Sequence, residues 1–157
     1  GNLCQRVFSF IKKNCDNKIP KKDNIKSEDK TLLNNLENNL HNLIDFMNKQ
    51  NLNEYIKMVV NFSFEANKYF NDLEPWAVKK SDPKRMNTIL FTITQQIKNI
   101  SILLNPIIPY STQKVFDTLN IKKEEIKIEK IKNYDLFNHE QELKNLEILF
   151  TKIENDN

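Results

Sequence analysis

The sequence holds one glycine and five prolines in 157 residues. That scarcity excludes collagen-like repeats, propellers and turn-rich small β folds, which need glycine where the chain reverses. Because Gly1 is the sole glycine, there is no glycine-rich loop to cradle a phosphate. Two cysteines, Cys4 and Cys15, are too few for a zinc site and do not resemble a secreted disulfide framework, so a reducing cytoplasm is expected. The two histidines, His41 and His139, stand far apart with no ligand spacing beside them, and no metal site is expected. No apolar run approaches the roughly 18 residues that span a bilayer. The start, GNLCQRVFSF, lacks the basic-then-apolar order of a signal peptide, so no membrane partner is expected. Neither cysteine has a nearby histidine to activate it, and hydroxyls such as Ser111 and Thr112 have no base beside them. Composition therefore favours a binding module over a catalytic domain.

What is present is one domain's worth of core. Apolar residues make up 39% of the chain and charged residues 29%, a balance typical of a folded domain. The net charge of +3 is unevenly placed: residues 1–26 carry +5, residues 27–74 carry −4, residues 75–116 carry +5 and residues 117–157 carry −3. A polyanion favours the first and third blocks if the fold joins them. The competing reading is solvated lysines on exposed faces, and charge alone leaves both open.

Apolar spacing of three and four predicts helices almost throughout. Leu3, Cys4, Val7, Phe8, Ile11 and Cys15 share one face of a first helix, already running at residue 1, as in a piece of a longer protein. After a polar loop broken by Pro20, Ser27 is the expected cap of a second helix to about residue 50, with Leu32, Leu33, Leu36, Leu40, Leu43, Ile44 and Met47 as its buried stripe. Asn53 is the expected cap of a third, which stops before Pro75. Pro75-Trp76 opens a short turn through Lys79. Asp82-Pro83 starts a fourth long helix with Met86, Ile89, Leu90, Ile93, Ile97, Ile100 and Leu104 inward. Pro109 starts a fifth, and a last amphipathic stretch covers about 140–150. The predicted fold is all-α: an antiparallel bundle of four to five helices over residues 1–120, with an extended or helical C-terminal tail over 121–157 that docks back on it.

Three residues stand out as candidate contacts. Asn2 and Arg6 are four apart, share a helix face and both carry planar paired groups that can read base edges. Trp76, the sole tryptophan, follows Glu-Pro at a helix break, where an indole can stack on an unpaired base or pack into a core. A solvated face for Asn2 and Arg6, and a core position for Trp76, remain open from spacing alone.

Gly1-Asn2-Leu3-x-x-Arg6, together with Asn67-Lys68-Tyr69-Phe70-x-x-x-Glu74-Pro75-Trp76, resembles the anticodon-binding helical domain of methionyl-tRNA synthetases. Asn105-Pro106-Ile107-Ile108-Pro109 is similar to that family's helix–proline–helix joint. Leu149-Phe150-Thr151-Lys152-Ile153-Glu154 is similar to its terminus, with Thr and Lys replacing Pro and Arg. The resemblance covers about residues 1–154 and implies a methionine tRNA as partner, whose CAU anticodon loop opens against the domain. It implies that Trp76 stacks on the cytosine and that Asn2 and Arg6 hydrogen-bond the bases. Lys13, Lys79, Lys80, Lys84 and Arg85 are then the expected phosphate contacts. The family's catalytic motifs are absent here, so no catalytic residue and no cofactor are expected in this piece. The resemblance places ATP and Mg in an upstream catalytic domain of the same chain, a ligase that attaches methionine to tRNA. A synthetase for leucine, valine or isoleucine shares the Pro-Trp turn but does not need Asn2 and Arg6. A helical protein-interaction module instead predicts a buried Trp76. The first reading requires Asn2, Arg6 and Trp76 to lie within roughly 15 Å of one another, as groups meeting one loop, with the acidic second helix turned away from the basic blocks.

Overall fold

The apolar spacing becomes seven α-helices in the computed structural model, which describes residues 2–137 and 141–144. The side chains of Asn2, Asp135 and Leu136 lie outside the described set. So do His139, the 149–154 stretch and most of the expected last helix. In chain order the helices are α1 (Asn2–Asn14), α2 (Ser27–Asn38), α3 (Leu40–Asn48), α4 (Leu52–Leu73), α5 (Pro75–Ser81), α6 (Pro83–Leu104) and α7 (Pro109–Leu119). Three 3-10 turns follow, at Lys123–Glu125, Ile128–Lys130 and Tyr134–Phe137. No strand occurs among the described residues, only one antiparallel bridge between Lys18 and Glu142. The all-α class stands.

The helix expected over 27–50 is two helices. Asn39 leaves the helical region at φ −101°, ψ 3°. Its side chain donates to the Asn35 carbonyl at 2.7 Å and accepts from Asn42 Nδ2 at 3.0 Å. An asparagine side chain that competes for backbone partners in this way interrupts a helix. The stripe is interrupted with it: Leu32, Leu33, Leu36 and Leu43 are buried, but Ile44 and Met47 are exposed. Two caps also fall elsewhere than expected. Asp29 closes the start of α2 by accepting from the Lys26 N–H at 2.9 Å, while the Ser27 hydroxyl donates to Glu28. Asn51, not Asn53, accepts from the Glu54 N–H at the start of α4. Asp82 caps α6 as expected, accepting from the Arg85 N–H at 3.1 Å.

Helix α6 is the axis of the fold, packed against α1, α2, α4, α5 and α7. Encirclement buries it on every side, so Thr88, Thr92, Gln95, Gln96, Lys98 and Asn99 are inside along with its apolar face. Buried polar groups need partners. Thr92 Oγ1 donates to the Thr88 carbonyl at 2.8 Å, and Gln95 Nε2 to that of Tyr134 at 3.3 Å. Lys98 Nζ donates to the carbonyls of Ile131 and Asn133, both at 3.2 Å. The segment after α7 is thereby tied to the axis, and Ile131, Phe137 and Leu143 join the core. Its end is held by the loop after α1: the Ile19 N–H donates to the Gln141 carbonyl at 2.8 Å and the Leu143 N–H to that of Asn17 at 2.9 Å.

An ion pair joins three helices at one end of the axis. Arg85 of α6 donates to Asp29 of α2 through Nη1 at 2.7 Å and Nη2 at 3.0 Å, and to Glu28 at 3.0 Å. The Tyr69 hydroxyl of α4 donates to the same carboxylate at 2.5 Å. Burial pushes the Asp29 carboxyl upward, but the hydrogen bonds from Arg85 and Tyr69 outweigh it and hold Asp29 below the usual carboxylate range. The Tyr69 hydroxyl is pushed up by burial and by the same carboxylate.

Two measurements follow. Asp29→Ala strands the Arg85 charge in the core, and urea unfolding is expected to show a loss of about 3–5 kcal/mol. The second concerns Lys98, which burial pulls down to about 8 against partial support from Glu125 and Glu37. The unfolded chain keeps that proton to higher pH than the folded one, so stability from this group rises with pH above the folded value. Between about pH 8 and 9.5, the chain is therefore expected to gain stability relative to Lys98→Met. Parallel pH profiles for the two proteins contradict this account of Lys98.

Candidate nucleic-acid interface

Pro75 has no N–H and cannot extend α4, yet it fits the first position of a new helix. The chain makes the change at Glu74, which adopts a left-handed conformation at φ 46°, ψ 63°. That geometry costs a non-glycine residue roughly 1–2 kcal/mol. The Glu74 carbonyl then accepts from the N–H groups of Ala77 and Val78 at 2.9 and 3.0 Å, which sets the first turn of α5. Pro75 is buried. Trp76 is turned back toward the last turn of α4, where its ring meets Phe70 edge-on, with centroids 5.6 Å apart and planes at 73°. Trp76 remains 40% exposed, neither a core residue nor a free one.

Helix α1 brings the second component. Leu3, Val7, Phe8 and Ile11 point into the core and fix the rotation of the helix. Arg6 is left on its flank, half-buried. Its guanidinium carbon stands 5.1 Å from the centroid of the Phe70 ring, and Nη2 donates to Asn71 Oδ1 at 2.6 Å. Phe70 is thus shared by Arg6 and Trp76. Adding the two centroid distances places guanidinium and indole no more than about 11 Å apart, although seventy positions separate the residues in the chain. Asn2 lies one helical turn before Arg6 on α1, but its side chain is not described.

Hydrogen bonds join the two basic blocks. Lys79 of α5 donates to Asn14 Oδ1 at the end of α1, at 2.5 Å. Lys13, Lys80 and Lys84 are exposed. The loop after α1 crosses the start of α6, where the Asp23 N–H donates to Thr88 Oγ1 at 2.7 Å. Arg85 departs from its expected role. It is 8% exposed and committed to Asp29 and Glu28, so it belongs to the core and not to a phosphate surface. The start of α2 is correspondingly not turned away from the third block, because its two acids neutralise Arg85.

Cys15 is pushed up to about 11 by burial, with Lys79 pulling the other way, and burial also raises Cys4. Both are therefore thiols at neutral pH and poor nucleophiles. Among the described residues no group of three or more His, Cys, Asp or Glu side chains is placed to hold a metal ion. No described helix is long and apolar enough to cross a membrane. A flat exposed indole beside a fixed guanidinium suits an unstacked base. Phe70 and Asn71 were not singled out from the sequence. Phe70 was visible inside the Asn67–Phe70 stretch, but nothing in the spacing tied either residue to Arg6, sixty-five positions away from Asn71.

Comparison with known proteins bears on the family and the fold. A family described as the anticodon binding domain of methionyl tRNA ligase matches residues 19–157, which includes Trp76 and leaves out α1. The methionine–tRNA ligase of Brucella suis is 36% identical over 121 residues, or 77% of this chain and 24% of that protein. The corresponding enzyme of Rickettsia felis is 34% identical over 138 residues, or 80% of this chain and 25% of that protein. The free methionyl-tRNA synthetase of Mycobacterium tuberculosis superposes with a TM-score of 0.80 at 25% identity, over 85% of this chain and 28% of that one. The chain spans about a quarter of the length of the curated relatives it matches. On a family match over most of its length, supported by these relatives, the chain belongs to the anticodon-binding domains of methionine–tRNA ligases.

Proposed function

We propose that the corner built by Arg6, Phe70 and Trp76 receives the opened anticodon loop of a methionine tRNA and reads its CAU triplet. Trp76 stacks on the cytosine, and Arg6 and Asn2 hydrogen-bond the bases of the loop. Lys13, Lys79, Lys80 and Lys84 contact phosphates, which adds affinity without sequence information. The observation that carries this reading is the pairing of a 40% exposed indole with a guanidinium on one shared ring. An aromatic face is sequence-tolerant and a guanidinium edge is not, so together they give both grip and discrimination.

Attachment of methionine to the tRNA, with ATP and Mg, belongs in this reading to an upstream catalytic domain in the same protein. The described residues do not fit those groups, since they include neither an acidic metal cluster nor a glycine-rich loop. Their share of the reaction is to hold the far end of the tRNA in place.

The test is a salt-titrated binding assay with stem-loops carrying CAU or a scrambled triplet. Four phosphate contacts to a single strand imply an affinity loss of about 50-fold between 50 and 200 mM salt. Trp76→Ala is expected to weaken the CAU loop by about five- to 150-fold, the worth of one base–aromatic stack, while the melting temperature changes little. A variant that melts far earlier yet binds the CAU loop normally removes Trp76 from the site. An affinity independent of salt removes the nucleic acid.

A further inference from the structure

Arg6 is held from two sides before any ligand arrives. Phe70 supplies the face beneath its guanidinium, 5.1 Å from centroid to carbon, and Asn71 supplies the acceptor for Nη2 at 2.6 Å. The two are consecutive residues in the last two turns of α4, so one short piece of helix sets both contacts. Phe70 is 2% exposed and cannot swing away. Asn71 is exposed, and a hydrogen bond between exposed side chains adds little to stability. Such a contact sits poorly with a purely structural role. A guanidinium has five N–H donors in a rigid fork. Asn71 occupies one and thereby fixes the plane in which the others point.

We propose that Asn71, seated beside Phe70, is a positioning residue for base discrimination: it orients Arg6 toward the anticodon bases without touching them. The inference rests on the role given to Arg6 above. Arginine side chains carry large rotamer entropy, and a side chain ordered before binding loses less of it on binding. A guanidinium confined to one plane also presents paired donors to one base geometry and mismatches the others.

The test uses the 157-residue chain and four stem-loops: CAU, and three in which one anticodon base at a time is exchanged. Asn71→Ala is expected to reduce the preference for CAU about three- to tenfold against the loop whose exchanged base is the one Arg6 reads. The salt dependence and melting temperature stay unchanged. Asn71→Asp keeps an acceptor at the same place. It is expected to retain the preference while weakening all four loops by a common factor, because it adds a negative charge near the phosphates. Combining Arg6→Lys with Asn71→Ala is expected to lose no more preference than Arg6→Lys alone, as for two residues acting as a unit. An Asn71→Ala protein that keeps the original preference overturns this inference and leaves the reading of Arg6 and Trp76 standing. An Asn71→Asp protein as indiscriminate as Asn71→Ala overturns it as well. An unsubstituted chain that does not prefer CAU overturns the anticodon reading and this inference with it.

Discussion

Pro75 cannot continue α4, and the corner where Arg6 and Trp76 share Phe70 follows from that constraint. The chain must leave the helix one residue early, and it does so through a left-handed Glu74. The reversal sets α5 against the axis helix and folds Trp76 back onto Phe70. Were α4 to run on, residue 76 would stand about 9 Å further along the helix axis than residue 70, six residues at 1.5 Å each. The two rings would not meet edge-on. The unfavourable conformation at Glu74 stands beside the surface proposed to stack on a base, in keeping with strain that clusters at functional positions.

The corner is rigid because the core behind it is charged and paired. Tyr69, immediately before Phe70, donates to the carboxylate that holds Arg85. The last turns of α4 are therefore fixed by hydrogen bonds on one side and by Phe70 packing on the other. This explains why Arg85 is unavailable to phosphates. Its charge serves to lock α2 and α6 together at the base of the platform, and a buried charge without its partner is strongly destabilising. The lysines left at the surface, Lys13, Lys80 and Lys84, supply positive potential with no such structural duty shown.

Much of the fold was legible in the sequence, because apolar spacing and prolines are local signals. The Asp82-Pro83 start of α6, the stop before Pro75 and the start at Pro109 all lie where those residues place them. The break at Asn39 was not legible, since a run of leucines on either side reads as one stripe and the interruption comes from a side chain choosing between two partners. The full burial of α6 was equally hidden. Periodicity reports which face is apolar, and only encirclement by five other helices makes the remaining faces internal as well. The same limit applies to the corner. Arg6 and Trp76 were marked by residue type and by resemblance, whereas Phe70 and Asn71 acquire their meaning from a contact between distant parts of the chain.

Trp76 is the sole tryptophan of the 157 residues, so its emission reports on the corner and on nothing else in the chain. The most direct measurement is intrinsic fluorescence during titration with a CAU stem-loop, followed in parallel by anisotropy of a dye on the RNA. The account requires the indole to be covered by a base as the complex forms. Emission should therefore be quenched with the same midpoint as the anisotropy, and much less by a scrambled loop of equal charge at equal occupancy. Anisotropy that reports complex formation with CAU while the tryptophan emission stays unchanged would contradict it.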